Sequence, residues 1–348
     1  MMSGNQDHGS EIQLSAVIIT RNERSRISDC IESVLAACRS AVERFELILV
    51  DSASADGTVE LAAEYPITVL RIPEKHTVSC GAGRYLGSLA ARGALQLHVD
   101  GDAVLAGGWL TRAVDCIRTE NAVAGVTGYL GAVPSDTPTD VAYINGVMLF
   151  DAAPLAAVGG FDPFLLGYED VELGYRLRDA GYRLVRLPVK AADHPEPNGV
   201  ISEPLRRWHD GFYAAAGQAI RKSAGVTGIL SPLVVRQRYK IGLLCWLSVG
   251  AAGRRFRTAQ AGWLLATLLG VVALSIRLGP RAAARFLLTK TLGLAGLVVG
   301  LSKPTPAREQ FPTQSVEVRK RASPADQPTV PALDQFRETA PSETAGSE

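Results

Sequence analysis

From Leu14 onward the spacing of apolar positions switches repeatedly between two periods. "LSAVIIT" (14–20) is an unbroken apolar run of strand length, whereas "SRISDCIESVLAACRSAV" (25–42) sets Ile27, Cys30, Ile31, Val34 and Leu35 on one helical face. "FELILVD" (45–51) reads as a second strand, and "SASADGTVELAAEY" (52–65) as a turn and a helix. "ITVLRIP" (67–73) is a third strand, "GRYLGSLAARG" (83–93) a helix closed by Gly93, and "ALQLHVDGD" (94–102) a fourth strand. Strands separated by helices predict a mostly parallel α/β sheet with right-handed crossovers, whose ligands sit at the carboxyl ends of the strands.

Beyond Gly108 the pattern is less regular. It predicts a helix near Trp109–Glu120, a strand over "AYINGVMLFD" (142–151), a helix from about Asp170 to Ala180 stopped by Gly181, and a strand to Leu187. No internal repeat is present. Residues 1–11 are polar and lack a signal-peptide core, and 304–348 are rich in Pro, Ser, Thr and Glu; both read as disordered.

Between these ends lie three strongly apolar stretches, 241–252, 259–276 and 286–301. Charge changes their meaning. The net charge is only +1, yet no acidic residue occurs between Asp210 and Glu309 while fourteen Lys and Arg do, which leaves 22 basic against 35 acidic residues elsewhere. Apolar runs edged by arginine favour a lipid surface over nucleic acid as the anionic partner. The run 259–276 approaches the length of a membrane span, 241–252 is too short, and 286–301 contains Lys290. A helical hairpin, interfacial helices with Trp246 and Trp263 at the headgroups, and a soluble bundle all remain open. Five cysteines without a CxxC pair read as reduced thiols, which places the catalytic part on the cytoplasmic side.

Three strands end in polar residues: Thr20-Arg21-Asn22-Glu23, Asp51-Ser52 and Asp100-Gly101-Asp102. Asp100 and Asp102 can converge, and a divalent cation would relieve their repulsion; a polar turn after a strand is the other reading. Asp51 could accept hydrogen bonds from a base or ribose, while Asp56 or Thr58 caps the next helix.

Taken together, "AVIITRNE", "VDSASADGT", the arginine of "GAGRYLGSLAARG", "HVDGDAVL", "VGGFD" and "GYEDVELGYRLRDAGYRL" resemble, in order and spacing, the family 2 glycosyltransferases over residues 12 to 215. The resemblance implies the GT-A fold, a Rossmann-like mixed, mostly parallel sheet with helices on both faces, here followed by C-terminal apolar helices. The expected divisions are a disordered 1–11, a GT-A domain over 12–232, a membrane-associated helical region over 233–303 and a disordered tail over 304–348.

It further implies inverting transfer of a sugar from a nucleotide diphosphate donor to a hydroxyl acceptor, lipid-linked or on a cell-surface glycan, with Mg²⁺ or Mn²⁺. By that resemblance Thr20, Asn22, Glu23 and Asp51 hold the nucleotide, Arg84 lies near the base or diphosphate, and Asp100 and Asp102 contact ribose and metal. Asp170 would be the catalytic base and Glu169 would bind acceptor or support the loop; the pair could also simply start a helix, where acids suit the dipole. His194 matches a position near the metal, or is a surface histidine, and His98 reads as packing. Tyr85 and Ala53 depart from the family's usual asparagine and glycine.

Two rival functions stand beside this one. "GAGRYLG", with Asp100 following, could mark a nucleotide-binding oxidoreductase, although its spacing is not GxGxxG. A non-catalytic, glycosyltransferase-like membrane module is the other.

Overall fold

The computed structural model describes residues 12–76, 79–195, 201–322 and 336–338. The chain divides into two compact units, one of residues 1–164, 169–195 and 307–348 and the other of 165–168 and 196–306. That division falls near residue 196 and not at the expected 232/233, because the helices that follow His194 pack with the apolar ones.

In the first unit the elements run β1 (Leu14–Thr20), α1 (Ile27–Ala41), β2 (Phe45–Asp51), α2 (Thr58–Ala62), β3 (Thr68–Arg71), α3 (Cys80–Ala90) and β4 (Leu95–Asp100). Next come β5 (Val104–Leu105), α4 (Trp109–Thr119), β6 (Val123–Tyr129), β7 (Thr139–Asp140), β8 (Met148–Asp151) and α5 (Ala152–Ala157). After the chain returns from the other unit, α6 (Glu169–Asp179), β9 (Arg183–Lys190) and β10 (Ala192–Asp193) complete the series. The strand expected over 142–151 is confined to β8, since Gly146, at φ +72°, turns the chain just before it.

β3, β2, β1 and β4 pair in parallel, β8 pairs antiparallel to both β4 and β6, and β9 runs parallel to β6, so the sheet is mixed but mostly parallel. Buried aliphatic residues lie on both faces: Ile31, Val34 and Leu110 with Leu47 and Leu49 on one, Leu86 and Ala90 with Val17 and Val50 on the other. Gly83 and Gly87 let α3 lie close on β1, for a Cβ at Gly87 would collide with the Val17 side chain and one at Gly83 would stand 2.9 Å from Ile19. The glycine-rich stretch is therefore a helix face packed on a strand. It forms no phosphate loop, which removes the motif behind the oxidoreductase reading. Gly93 does not close α3, which ends at Ala90; a Cβ there would run into the backbone of Leu14 and Ser15.

The tail departs most from expectation. Among the described residues of 304–348, β11 (Glu317–Lys320) adds antiparallel to β3 and β12 (Arg337–Glu338) pairs parallel to β11. Phe311, Val316, Val318 and Phe336 are buried against the sheet, so this part of the tail closes the β3 edge. The rest of the tail, like residues 1–11, lies outside the described residues.

The second unit is helical: α7 (Ser202–His209), α8 (Ala215–Lys222), α9 (Thr227–Arg236), α10 (Arg238–Ala252), α11 (Arg257–Leu278) and α12 (Pro280–Ser302). The last two are long and apolar enough to cross a membrane by length and composition. They differ in environment. The apolar window of α11 is unburied, with Leu264, Leu265, Leu268 and Leu269 all more than half exposed. α12 instead buries Gly293, Leu294, Gly296, Leu297 and Gly300, and a Cβ at Gly300 would collide with the Ala214 carbonyl. Trp246 and Trp263 stack at 5.9 Å, and their indole N–H groups donate to Thr267 Oγ1 and the Trp246 carbonyl, so these donors are spent within the protein.

Candidate active site at the carboxyl ends of the strands

Strand register assembles the site. Thr20 sits opposite Asp51 and Ile19 opposite Asp100, so the two carboxylates flank the end of β1. Gly101 permits this closeness: its N–H donates to the Ile19 carbonyl at 2.8 Å, and a Cβ there would stand 2.8 Å from Thr20 Cβ and Oγ1.

Asp51 is fully buried. One carboxylate oxygen accepts the Ser54 N–H at 2.9 Å while Oδ2 has no partner, and Arg71 Nε stands 3.7 Å away. Burial pushes this carboxyl up, against the hydrogen bonds of Ser54 and the charge of Arg71. Thr20 Oγ1, next to it, is likewise buried and unpartnered. Two orphan oxygens on adjoining strand ends are an invitation to a ligand donor.

The loops after β1 and β2 hold one another. The Asn22 N–H donates to Ser54 Oγ at 2.8 Å, Asn22 Oδ1 accepts the Ala55 N–H at 2.9 Å, and the Glu23 N–H donates to Thr58 Oγ1 at 3.0 Å. Asp56 caps Thr58 N at 3.0 Å, as one reading of the sequence had it. Asn22 and Ala53 carry φ of +56° and +59°, and Tyr168, just before the Glu169–Asp170 pair, +63°. Left-handed backbone at two non-glycine positions in the interlocked loops after β1 and β2 is strain of the kind that gathers at functional sites. It also explains the departure at Ala53: the position demands the conformation glycine adopts freely.

Asp100 and Asp102 do not share a partner. Arg84, buried on α3, hydrogen-bonds Asp100 Oδ1 through Nη2 at 2.6 Å and makes a short bond to Glu169 Oε1 through Nη1, while its Nε has no partner. The guanidinium thus joins the end of β4 to the start of α6. Burial raises the Asp100 and Glu169 carboxyls and Arg84 opposes it. Asp170 is half-buried; Oδ1 accepts its own helix's Val171 N–H at 2.7 Å, so the helix-start reading holds in part, and burial nonetheless pushes this carboxyl up.

Asp102 faces His194, with Oδ1 and Nε2 3.3 Å apart. The hydrogen bond to Asp102 lifts the histidine to about 9. Although burial raises Asp102, the bond and charge of His194 hold it below the usual aspartate range. Glu23 is raised first by burial and next by the charge of Asp102, which puts it beside this pair. His98, further back on β4, is fully buried edge-on to Phe150 and Phe161 and pushed down to about 3 by burial; it packs.

The metal expectation needs correction in its ligand set. Among the described residues no three His, Cys, Asp or Glu side chains form a group that could hold a metal ion. Asp100 gives Oδ1 to Arg84. What fits is a shell with Asp102 and His194 as protein donors and the remainder from water and a diphosphate, as Mg²⁺ and Mn²⁺ commonly accept. Such binding would displace the histidine proton.

Arg71 and Ser54 went unmarked by the motifs. The signal was available, since Arg71 ends β3 at the same edge where β1, β2 and β4 end in Thr20, Asp51 and Asp100. Tyr85, in contrast, turns away and packs edge-on to Phe311 at 6.0 Å.

A mixed, mostly parallel sheet with helices on both faces and acidic residues at its carboxyl edge is the GT-A architecture. Residues 15–146 match the family described as "Glycosyl transferase family 2". The undecaprenyl-phosphate 4-deoxy-4-formamido-L-arabinose transferases of Photorhabdus laumondii and Pectobacterium carotovorum are 33% identical over 93 residues and 36% over 92. These stretches are 27% and 26% of this chain, and in both cases the match spans 27% of the relative's length. Among solved structures, the Pyrobaculum calidifontis mannosyltransferase PcManGT, in complex with GDP-Man and Mn²⁺, superposes with a TM-score of 0.61 at 19% identity, covering 84% of this chain and 88% of that one. S. aureus TarS 1-349 in complex with UDP-GlcNAc gives 0.51 at 17%, covering 83% and 90%.

Proposed function

We propose that the protein is an inverting glycosyltransferase that moves a sugar from a nucleotide diphosphate donor to a hydroxyl of a lipid-linked acceptor. The observation that carries the reading is the placement of the orphan oxygens of Thr20 and Asp51, the Asp102–His194 pair and the Arg84-tethered Glu169–Asp170 pair at one edge of one sheet. The printed names of the relatives and neighbours, with their undecaprenyl phosphate, GDP-Man, UDP-GlcNAc and Mn²⁺, support donor, metal and acceptor class.

In this reading Asp51 and Thr20 accept hydrogen bonds from the nucleoside, and Asn22 shapes the loop that surrounds it. A divalent cation held by Asp102 and His194 would neutralise the leaving diphosphate. Asp170 takes the proton from the acceptor hydroxyl as its oxygen bonds to the anomeric carbon; the bond from that carbon to the diphosphate oxygen breaks, and the nucleoside diphosphate departs with the electron pair. Arg84 is a positioning residue that fixes Glu169, and through it the start of α6. A raised carboxyl suits Asp170 to the role, because a base near the working pH is the most effective.

Membrane association through α11 belongs to the same reading. Thr258–Ile276 contains no charge and at 1.5 Å per residue measures about 28 Å, close to a hydrocarbon core. Five free cysteines fit a reducing compartment, so the cytoplasmic face is the proposed side.

Metal-dependent hydrolysis of nucleotide sugars, screened across UDP, GDP and other donors, tests the reading. The expected result is turnover of one donor by the wild type and its loss in Asp102→Ala. Binding of neither nucleotide at millimolar metal would favour the non-catalytic module.

A further inference from the structure

The segment from the end of β2 to β3 supplies Asp51, Ser54 and Thr58 to the site, yet its own structure holds it lightly. α2 has five residues and β3 four, lengths at which neither a helix nor an edge strand is stable alone. β1, β2 and β4 each lie between two strands of the central sheet, whereas β3 gains its second neighbour only from β11.

Residues 311–320 hold this segment from outside. β11 pairs along β3 with Glu317 opposite Arg71 and Val318 opposite Leu70, and the register shifts before Lys320. Past that irregularity the Lys320 ammonium donates to the carbonyls of Ala63 and Tyr65, both at 2.6 Å, so a cation meets the open end of α2. Beyond β3, Ser315 Oγ stands 2.7 Å from the Pro312 carbonyl and 2.6 Å from His76 Nε2. The hydroxyl gives its proton to the carbonyl and accepts the imidazole N–H. Val316 and Val318 are buried, and Phe311 packs against Tyr85 and Phe164.

What is held there reaches the site through Arg71. Its Nη2 donates to the Ser54 carbonyl at 3.1 Å and its Nε faces Asp51 at 3.7 Å. One residue on, the Ile72 N–H donates to the Asp51 carbonyl at 2.8 Å. Ser54 in turn gives its N–H to Asp51 and accepts the Asn22 N–H on its hydroxyl oxygen. A displacement of β3 is thereby passed to the carboxylate whose Oδ2 has no partner.

We propose that residues 311–320 are a strap that positions the donor pocket: through Arg71 and His76 they hold the Asp51–Ser54 loop in the form that accepts a nucleoside. Ser315 and Lys320 are positioning residues, acting through the loop and not on the ligand. The proposal rests on the transferase reading for its ligand, and on the strand and hydrogen-bond geometry alone for the coupling.

The test uses the full-length protein in detergent. It measures affinity for UDP, GDP and pyrophosphate with Mn²⁺, amide hydrogen exchange over residues 52–62, and melting. In Ser315→Ala/Lys320→Gln, exchange over 52–62 should quicken, and the nucleotide that the wild type binds should weaken roughly three- to tenfold, as partial loss of the loop's hydrogen bonds implies. Pyrophosphate affinity should hold, because the diphosphate meets the Asp102–His194 side. The conservative pair Ser315→Thr/Lys320→Arg should restore both readouts. A strap that merely covers an edge would lower the melting point and leave nucleotide affinity, measured well below it, unmoved; that result overturns the proposal. So does an equal fall in pyrophosphate affinity, or an unchanged exchange rate. If the wild type binds neither nucleotide while exchange over 52–62 still quickens in the double variant, the transferase reading fails and the coupling of strap to loop stands.

Discussion

The two units handle the same ingredients in opposite ways. The first buries its aliphatic residues and also buries charge with opposite charge beside it: Arg84 between Asp100 and Glu169, Arg176 with Glu172 at 2.7 Å, Arg92 with Glu46 at 2.6 Å. The second leaves leucines exposed along α11 and keeps a surplus of cations with few acids to meet them. Paired buried charge is what a water-exposed domain uses to fix a site; a surplus of basic residues beside exposed apolar surface is what a lipid surface can complete. The contrast teaches that the chemistry is built into one unit and the setting for it into the other, and each can be broken without the other.

Asp170→Asn cuts deepest into the first unit. Loss of the proposed general base is expected to lower transfer to a hydroxyl acceptor by about two to four orders of magnitude, with detergent partitioning unchanged. In the wild type, transfer should rise with pH through an apparent value above the ordinary aspartate range, because burial raises Asp170 and only the ionised form accepts a proton. The asparagine variant should lack that limb. A pH–rate profile of both measures it, and retention of the wild-type rate would mean an acceptor oxygen that is already ionised.

Arg84→Met removes the shared partner of two buried carboxylates. Breaking a buried pair from one side costs about 3–5 kcal/mol, seen as a lower denaturation midpoint with little change in its slope. Part of this should return on acidification, because the stranded Asp100 and Glu169 can then be neutralised, their folded-state values lying above the unfolded ones. A variant as stable as wild type at neutral pH would show the bridge to be dispensable.

Leu268→Lys addresses the second unit alone. Leu268 is 60% exposed in the middle of α11, and a lysine at the centre of an apolar helix costs about 3 kcal/mol on insertion, or roughly a hundredfold in membrane partitioning. Vesicle flotation reads it. Nucleotide binding by the first unit should not move, and equal flotation of wild type and variant would mean that α11 is not the element that meets lipid.

The strand ends were legible because β1, β2 and β4 are apolar runs that stop at Thr20, Asp51 and Asp100, and parallel topology then forces those stops onto one edge. The partners were not. Arg84 reaches Asp100 and Glu169 across sequence separations of 16 and 85 residues, a pairing set by how closely Gly83 and Gly87 let α3 approach β1. The aspartates of Asp-Gly-Asp likewise read as one metal site and part company because Arg84 claims the first and His194 the second. The tail was misread on composition. Phe311, Val316 and Val318 are few among prolines and polar residues, and only the open edge of β3 and the apolar face beside it give them something to cover.

The smallest expected effect bears on one of the positions where the first unit carries left-handed backbone beside its site. Ala53 holds φ +59° in the loop that ties Ser54 to Asp51 and Asn22, and an L-residue in that conformation costs about 1–2 kcal/mol relative to the right-handed one. Ala53→Gly removes the strain but enlarges the freedom of the unfolded chain, which returns roughly 0.4–1 kcal/mol of the gain. The net should be a stabilisation of about 0.5–1 kcal/mol, or a rise of one to a few degrees in Tm. Nucleotide affinity should hold, because Asp51 and Thr20 stay where the strand register puts them. A glycine variant that melts lower than wild type would mean that the alanine methyl makes a contact worth more than its strain, and that the loop is fitted around it.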